Sequence, residues 1–248
     1  MTVALAQVRS HDGAVPRNVE RHLDALHAVR PHAPDLVAFP ELSLTNYAPH
    51  VARAAALALD DPRLAPLQRY ADETGTAVAV GAPLRTDGLP RIALLLFRPG
   101  APPAAVEKRH LHPDEVPFFS SAEGGPSVLD LGARVGIAIC YEVAVQEQAD
   151  ALAREGVDLY LASVAKTPRG VAEARATLAK TARRLGVPAL LVNSVGTCEG
   201  EPAGGGSFAL DRDGQIVAHI GGEAEGVLVV DTEAVTAFGL SVSNPSKP

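Results

Sequence analysis

Three side chains capable of acid–base and nucleophilic chemistry stand at matched places along the chain. Glu41 follows the apolar run Leu36-Val37-Ala38-Phe39, Lys108 follows Val106-Glu107, and Cys140 ends the run Val135-Gly136-Ile137-Ala138-Ile139. Each therefore sits just past a β-like segment. Strand ends along one edge of an α/β sheet are where ligand crevices form. A carboxylate, an ammonium and a thiol gathered there make a complete set for acyl transfer. The thiol attacks a carbonyl carbon, the carboxylate takes and returns a proton, and the cation holds the developing oxyanion. The ammonium would also favour thiolate over thiol. Singly, each residue has an ordinary reading. Free cysteines are mostly inert packing groups, a Glu after Pro is commonly a solvated loop residue, and a Lys–Glu pair is commonly a surface ion pair of small worth. The argument rests on the three coinciding.

The elements that must position these groups follow from periodicity. Thr2 to Val8 is β-rich, and Pro16 opens a helix with Val19, Leu23, Leu26 and Val29 at helical spacing. Strands are predicted over 36–39, 77–82, 92–97 and 104–107, with an Ala-rich helical pattern over 49–74 that breaks near Asp60-Asp61-Pro62. A hairpin of 128–131 with 135–139 leads into a helix over 145–155, and a strand over 157–163 precedes a helix over 168–185. Strands at 187–193, 207–210, 215–220 and 227–230 complete the order, and a polar tail from about Thr232 is expected to reach outward. Helix–strand units mixed with hairpins define an α/β chain whose sheets are covered on both faces, and two sheets between helix layers suit the count. No linker or composition shift divides the 248 residues, so one domain over 1–248 is expected.

Three blocks carry a family resemblance. Phe39-Pro40-Glu41-Leu42-Ser43-Leu44-Thr45-Asn46-Tyr47, Glu107-Lys108-Arg109-His110-Leu111 and Gly136-Ile137-Ala138-Ile139-Cys140-Tyr141-Glu142 resemble, in order and spacing, the signature blocks of the nitrilase superfamily of carbon–nitrogen hydrolases. Weaker matches include Val192-Asn193-Ser194-Val195-Gly196 and the strand from Gly206 to Leu210. The resemblance implies an α-β-β-α four-layer sandwich, two mixed sheets between helix layers, with no metal and no organic cofactor. It makes Glu41 the general base, Lys108 the oxyanion cation and Cys140 the nucleophile, with the Tyr141 backbone N–H as a further oxyanion donor. A second glutamate often positions the lysine in such enzymes; Glu115 is the candidate, and Glu123 the alternative. Tyr141, Glu142 and Lys166 are candidate substrate contacts, Lys166 for an anionic group. The chain departs from the commoner pattern at Glu142, where many members have Asp, at Val143-Ala144-Val145-Gln146, and at Ala165-Lys166-Thr167, where many carry a tryptophan. These loops line the substrate side, so the catalytic set is legible and the substrate is not.

Other signals carry less. His110-Leu111-His112 puts two imidazoles on one face if extended, but only Asp114 stands near as a third metal ligand, and polar loop histidines are the better reading. Gly204-Gly205-Gly206 lacks a dinucleotide-site spacing and reads as a flexible loop near the mouth of the site, and no phosphate-binding P-loop pattern occurs. Cys198 reads as an ordinary thiol, and Glu199 with Glu201 as loop acidity. A net charge of −7 without a basic run makes nucleic acid and anionic membranes poor partners. No apolar run reaches the length of a membrane span, the first residues lack a signal-peptide pattern, and two cysteines make no disulfide framework, so a cytosolic protein is expected. The leading function is cysteine-dependent hydrolysis of a small-molecule amide. N-carbamoyl-amine hydrolysis, acyl transfer to an amine and a non-catalytic binding role are the alternatives. By resemblance, the assembly is a homodimer or a higher homo-oligomer.

Overall fold

The computed structural model describes residues 1–125, 127–234 and 236–242. Two mixed sheets stack face to face, with helices outside each. The first sheet grows from a parallel centre of β1 (Thr2–Gln7), β2 (Leu36–Ala38) and β3 (Ala77–Leu84). On one side it continues antiparallel through β4 (Arg91–Phe97) and β5 (Ala104–Glu107). The second sheet repeats the plan. A parallel centre of β7 (Arg134–Ile139), β8 (Leu159–Val164) and β9 (Ala189–Asn193) is flanked by β6 (Val128–Asp130) on one side. On its other side lie β12 (Phe208–Leu210) and β13 (Ile216–His219). Between β9 and β12 a two-stranded ribbon, β10 (Thr197–Cys198) with β11 (Glu201–Pro202), stands apart. The sandwich expected from the family resemblance is the architecture observed.

The central strands are apolar on both faces because both faces are covered. Along β1, Val3 and Leu5 point into the layer between the sheets, while Ala4 and Ala6 face α1 (Val15–Val29) and α3 (Ala65–Thr74). Small side chains there let Val19, Leu26, Leu67 and Tyr70 sit close against the sheet. On the opposite outside, α5 (Pro168–Leu185) packs Ala174, Leu178 and Ala182 on β9 and β12. That helix starts where Thr167 accepts a hydrogen bond from the Gly170 N–H ahead of Pro168 at its first turn. It stops at Gly186, in the left-handed conformation at φ 69°. Each fully buried Leu, Val or Phe in these layers contributes about 1.5–3 kcal/mol.

Some boundaries differ from expectation. Cys140–Ala144 forms a 3-10 turn before α4 (Gln146–Glu155), so the thiol leaves the strand into a tight bend. The strand expected over 227–230 is β14 (Gly226–Asp231), paired with β1, and within the polar tail from about Thr232 β15 (Thr236–Ser241) pairs with β14 as the sheet's edge. Residues 243–248 of that tail lie outside the described residues. The glycine run is not a loose loop. A Cβ on Gly205 would meet the Gly222 carbonyl oxygen at 2.2 Å, and Asn193 Nδ2 donates to the Gly205 carbonyl at 2.8 Å. Among the described residues no helix is long and apolar enough to cross a membrane.

Candidate active site

Glu41 is delivered by the loop after β2. Its backbone is carried across β3 where Gly81 has no side chain; a Cβ there would stand 2.2 Å from the Pro40 carbonyl oxygen and 2.3 Å from the Leu42 nitrogen. Leu42 itself takes φ 52°, a conformation few non-glycine residues adopt. From the other sheet, Ser163 on β8 donates to the Phe39 carbonyl at 2.8 Å and ties the two layers together beside the glutamate. Behind the loop, buried His22 stacks on Phe39 and bonds the Ser43 hydroxyl through Nε2 at 2.8 Å.

Lys108 leaves β5 and is wholly buried. Its Nζ lies 2.7 Å from Glu41 Oε1 and 2.7 Å from Glu115 Oε1. The second glutamate is turned inward by the 3-10 turn Pro113–Glu115, in which the His112 N–H donates to Glu115 Oε2 at 2.7 Å. Tyr47 completes its shell, the phenol donating to Glu115 Oε1 at 2.9 Å. Glu41 Oε2, by contrast, is buried and has no hydrogen-bond partner among the described residues. A buried carboxylate oxygen left open is costly unless something is to be received there.

Cys140 occupies the bend after β7 at φ 47°. Strained, non-glycine backbone of this kind gathers at functional sites. The Cys140 sulfur lies 3.9 Å from the Ala165 carbonyl oxygen. The thiol opens onto a cavity of about 400 Å³ whose lining includes Tyr47, Glu115, Tyr141, Lys166, Cys198 and Glu199.

Electrostatics set the protonation states. Burial raises the Glu41 pKa, with Lys108 opposing and Glu115 reinforcing the rise. For Lys108, burial would lower the pKa, but the charges of Glu41, Cys140 and Glu115 outweigh it and the net shift is upward, so the amine stays an ammonium. Burial, then the Glu41 charge, pushes the Cys140 thiol up to about 11, against the pull of Lys166 and Lys108. Lys108 does pull toward the thiolate, as expected, but burial outweighs it. At neutral pH the sulfur is held as a thiol, because burial and the neighbouring Glu41 charge outweigh the two lysines.

The remaining sequence candidates divide. Glu115 joins the buried cluster. Glu123 does not: it is exposed and lines a separate polar cavity with Arg91, Glu107 and Arg109. Tyr141 and Lys166 line the cavity beside Cys140. Glu142, expected as a substrate contact, is turned away from it. Its carboxylate accepts from the backbone N–H groups of Arg109 at 2.8 Å, His110 at 3.2 Å and Ile139 at 2.8 Å, lashing the segment after Lys108 to the bend that carries the thiol. His110 and His112 face different cavities, and among the described residues no three His, Cys, Asp or Glu side chains gather as a cation site requires.

Three residues with roles at the site escaped the sequence reading. Tyr47 lies within the first signature block, and its short distance from Glu41 along the chain was the available signal. Asn193 fixes the backbone at Lys166, accepting from the Lys166 N–H at 2.9 Å and donating to its carbonyl at 3.0 Å. Cys198 was read as ordinary, yet its sulfur lies 3.6 Å from the same Ala165 oxygen that Cys140 faces.

Two mixed sheets between helix layers thus hold a buried carboxylate–ammonium–carboxylate line beside a strained thiol. Residues 2–237 match the carbon–nitrogen hydrolase family, and the chain belongs to that family. It is 29% identical to an (R)-stereoselective amidase of a Pseudomonas species, across 96% of this chain and 87% of that one. It is 30% identical to a glutamine-dependent NAD(+) synthetase of Rhodobacter capsulatus, across 93% of this chain but only 43% of the synthetase. Among solved structures, the amidase of Nesterenkonia sp. AN1 superposes with a TM-score of 0.84 at 26% identity, over 94% of this chain and 91% of that one, in a cysteine-to-alanine variant holding butyramide. Another variant of the same amidase carries acrylamide added to its active-site cysteine. The protein is an amidase-like carbon–nitrogen hydrolase.

Proposed function

We propose that this enzyme hydrolyses small-molecule amides through a thioester on Cys140. The observation that carries the reading is the division of partners around Lys108 and Glu41. An ammonium has three N–H donors; two are engaged by Glu41 and Glu115, leaving the third for an oxyanion. Glu41 keeps Oε2 open on the other side, ready to take a proton.

The reaction then runs in two halves. The Cys140 sulfur attacks the amide carbon while Glu41 takes its proton, since a thiol with a pKa near 11 is not ionised beforehand. The raised pKa of Glu41 makes it a stronger base than an exposed glutamate. The oxyanion is held by Lys108 and the Tyr141 backbone N–H. Glu41 passes the proton to the departing amine or ammonia, leaving a thioester. Water, deprotonated by Glu41, attacks that thioester, and collapse releases the acid and restores the thiol. Glu115, held by Tyr47 and the His112 N–H, keeps Lys108 aimed and takes no proton itself. The size of the cavity and the amide-directed relatives support a small amide over a polymer.

The test is ammonia release from a panel of small amides, N-carbamoyl compounds and nitriles, with the parent and with Cys140→Ala. Amides should turn over in the parent and not in the variant, and iodoacetamide should abolish turnover unless substrate is present. Parent-like ammonia release from Cys140→Ala would end the thioester reading. Turnover of N-carbamoyl compounds alone would move the enzyme to that branch of the chemistry.

A further inference from the structure

The catalytic cavity contains both cysteines of the chain. Cys198 sits on β10, the inner strand of the two-stranded ribbon, with its side chain buried and lining the same cavity as Cys140. Both sulfurs are directed at one atom, the Ala165 carbonyl oxygen, Cys140 from 3.9 Å and Cys198 from 3.6 Å. The proposed hydrolysis uses one thiol and leaves the other without a task. A packing role needs no sulfur at that place, where the wall also includes Ala165, Tyr47, Tyr141 and Thr167.

The ribbon is suited to bringing the second sulfur inward. Each of its strands has two residues, and its turn runs through Glu199 at φ 52° and Gly200 at φ 82°. It is held to the Glu41 loop by the Glu199 N–H donating to the Tyr47 carbonyl at 2.8 Å. A disulfide requires a sulfur–sulfur separation of about 2.0 Å. Turning both side chains off their shared oxygen and onto each other, with the ribbon following, would close it.

We propose that Cys140 and Cys198 form an oxidation site, in which a small hydroperoxide converts the nucleophile into a reversible disulfide with Cys198 as the resolving thiol. The cavity admits a molecule of that size. In the first step Glu41 takes the Cys140 proton and the sulfur attacks one peroxide oxygen. The O–O bond breaks, and the other oxygen leaves with a proton as water or an alcohol. Sulfur is oxidised to sulfenic acid and the peroxide is reduced. In the second step the Cys198 sulfur attacks the sulfenic sulfur, the S–O bond breaks, and water departs carrying the Cys198 proton. An external dithiol reduces the bond and returns both thiols. Without Cys198 the sulfenic acid has no internal thiol to meet, and a second hydroperoxide molecule oxidises it to the irreversible sulfinic acid, itself reduced to water or an alcohol. The inference rests on the proposed function for Glu41 as the base and for the effect on turnover; the bond itself is read separately, by mass.

The experiment exposes the full-length protein, its Cys198→Ser variant and its Cys198→Ala variant to hydrogen peroxide. Intact mass, cysteine peptide maps and ammonia release are read before and after dithiothreitol, each variant against its own untreated activity. In the parent, a loss of about 2 Da and a cross-linked peptide joining residues 140 and 198 should accompany at least a tenfold loss of turnover. Dithiothreitol should restore it. Both variants should instead gain about 32 Da on Cys140 and stay inactive after reduction. A parent that shows no cross-link, or that over-oxidises as fast as the variants, overturns the proposal. Should neither variant fold, the parent cross-link alone decides. A cross-link in a protein that hydrolyses no amide would fail the proposed function and leave this one standing; amide hydrolysis without a cross-link would do the reverse.

Discussion

Replacing Lys108 by Met isolates what its charge does at the centre of the site. The methionine side chain nearly fills the space of the lysine stem, and a volume-conserving change of that kind costs less than about 1.5 kcal/mol in packing. The loss falls on two carboxylates. Glu41 and Glu115 each give Oε1 to Nζ at 2.7 Å, and both are buried. Removing one partner from a buried ion pair costs about 3–5 kcal/mol, and here one removal strips two anions. The variant should therefore sit at the upper end of that range at pH 8. Protonation relieves the repulsion, and the sign follows. Burial already raises the Glu41 pKa, and loss of the opposing ammonium raises it further, so the folded variant binds a proton there that the unfolded chain does not. The variant's stability is full below the unfolded carboxylate pKa and is lost as pH rises through the folded one. The deficit against the parent should shrink at pH 5. Urea unfolding followed by far-ultraviolet circular dichroism suits a chain without tryptophan. In parallel, kcat should fall about 10²–10³-fold as the oxyanion donor disappears, with KM far less affected. A deficit under about 1 kcal/mol at pH 8, or one flat between pH 5 and 8, would refute the electrostatic account of the cluster.

Two further outcomes test the supports of the site. Gly81→Ala places a Cβ 2.2 Å from the Pro40 carbonyl oxygen, so the Glu41 loop must lift; activity should drop at least about tenfold, with about 1–3 kcal/mol lost from stability. Unchanged kcat would mean that the loop has room. His22 is buried and neutral, with burial lowering its pKa to about 4 from 6.5. The unfolded chain takes up that proton first, so stability should be lost as pH falls from 6.5 toward 4, by about 3 kcal/mol in total. His22→Leu, which cannot titrate, should show a shallower dependence over that window; equal slopes would place the acid sensitivity elsewhere.

Much of the fold was legible because strands buried on both faces must be apolar at nearly every position. Val135 to Ile139 and Leu36 to Phe39 announce themselves in that way, as do the Pro-started, Gly-stopped limits of α5. Boundaries moved where chain direction, not composition, decided them: the strand expected from Val157 begins at Leu159, and the polar tail became an edge strand by pairing with β14. Glu41, Lys108 and Cys140 were readable because each reactive side chain interrupts an apolar run at its end, within a recognisable block. Glu115 and Glu123 could not be separated by sequence, since both follow Lys108 in a polar loop.

By itself, the sequence determined the sandwich, the family and the identities of the groups able to react. Periodicity carried the mixed α/β elements, and the resemblance of three short blocks carried the family and its sandwich. Tertiary structure alone decided which oxygens of the two glutamates meet the ammonium, and that Glu142 braces the backbone instead of lining the cavity. It also decided that the Cys140 sulfur is held as a thiol, and that a second sulfur shares its cavity. The physical reason is common to all of these. Such contacts join loops from different strands and different sheets, so their distances are set by the register and stacking of the whole assembly, and a proton's position follows from those distances and from the water that burial excludes.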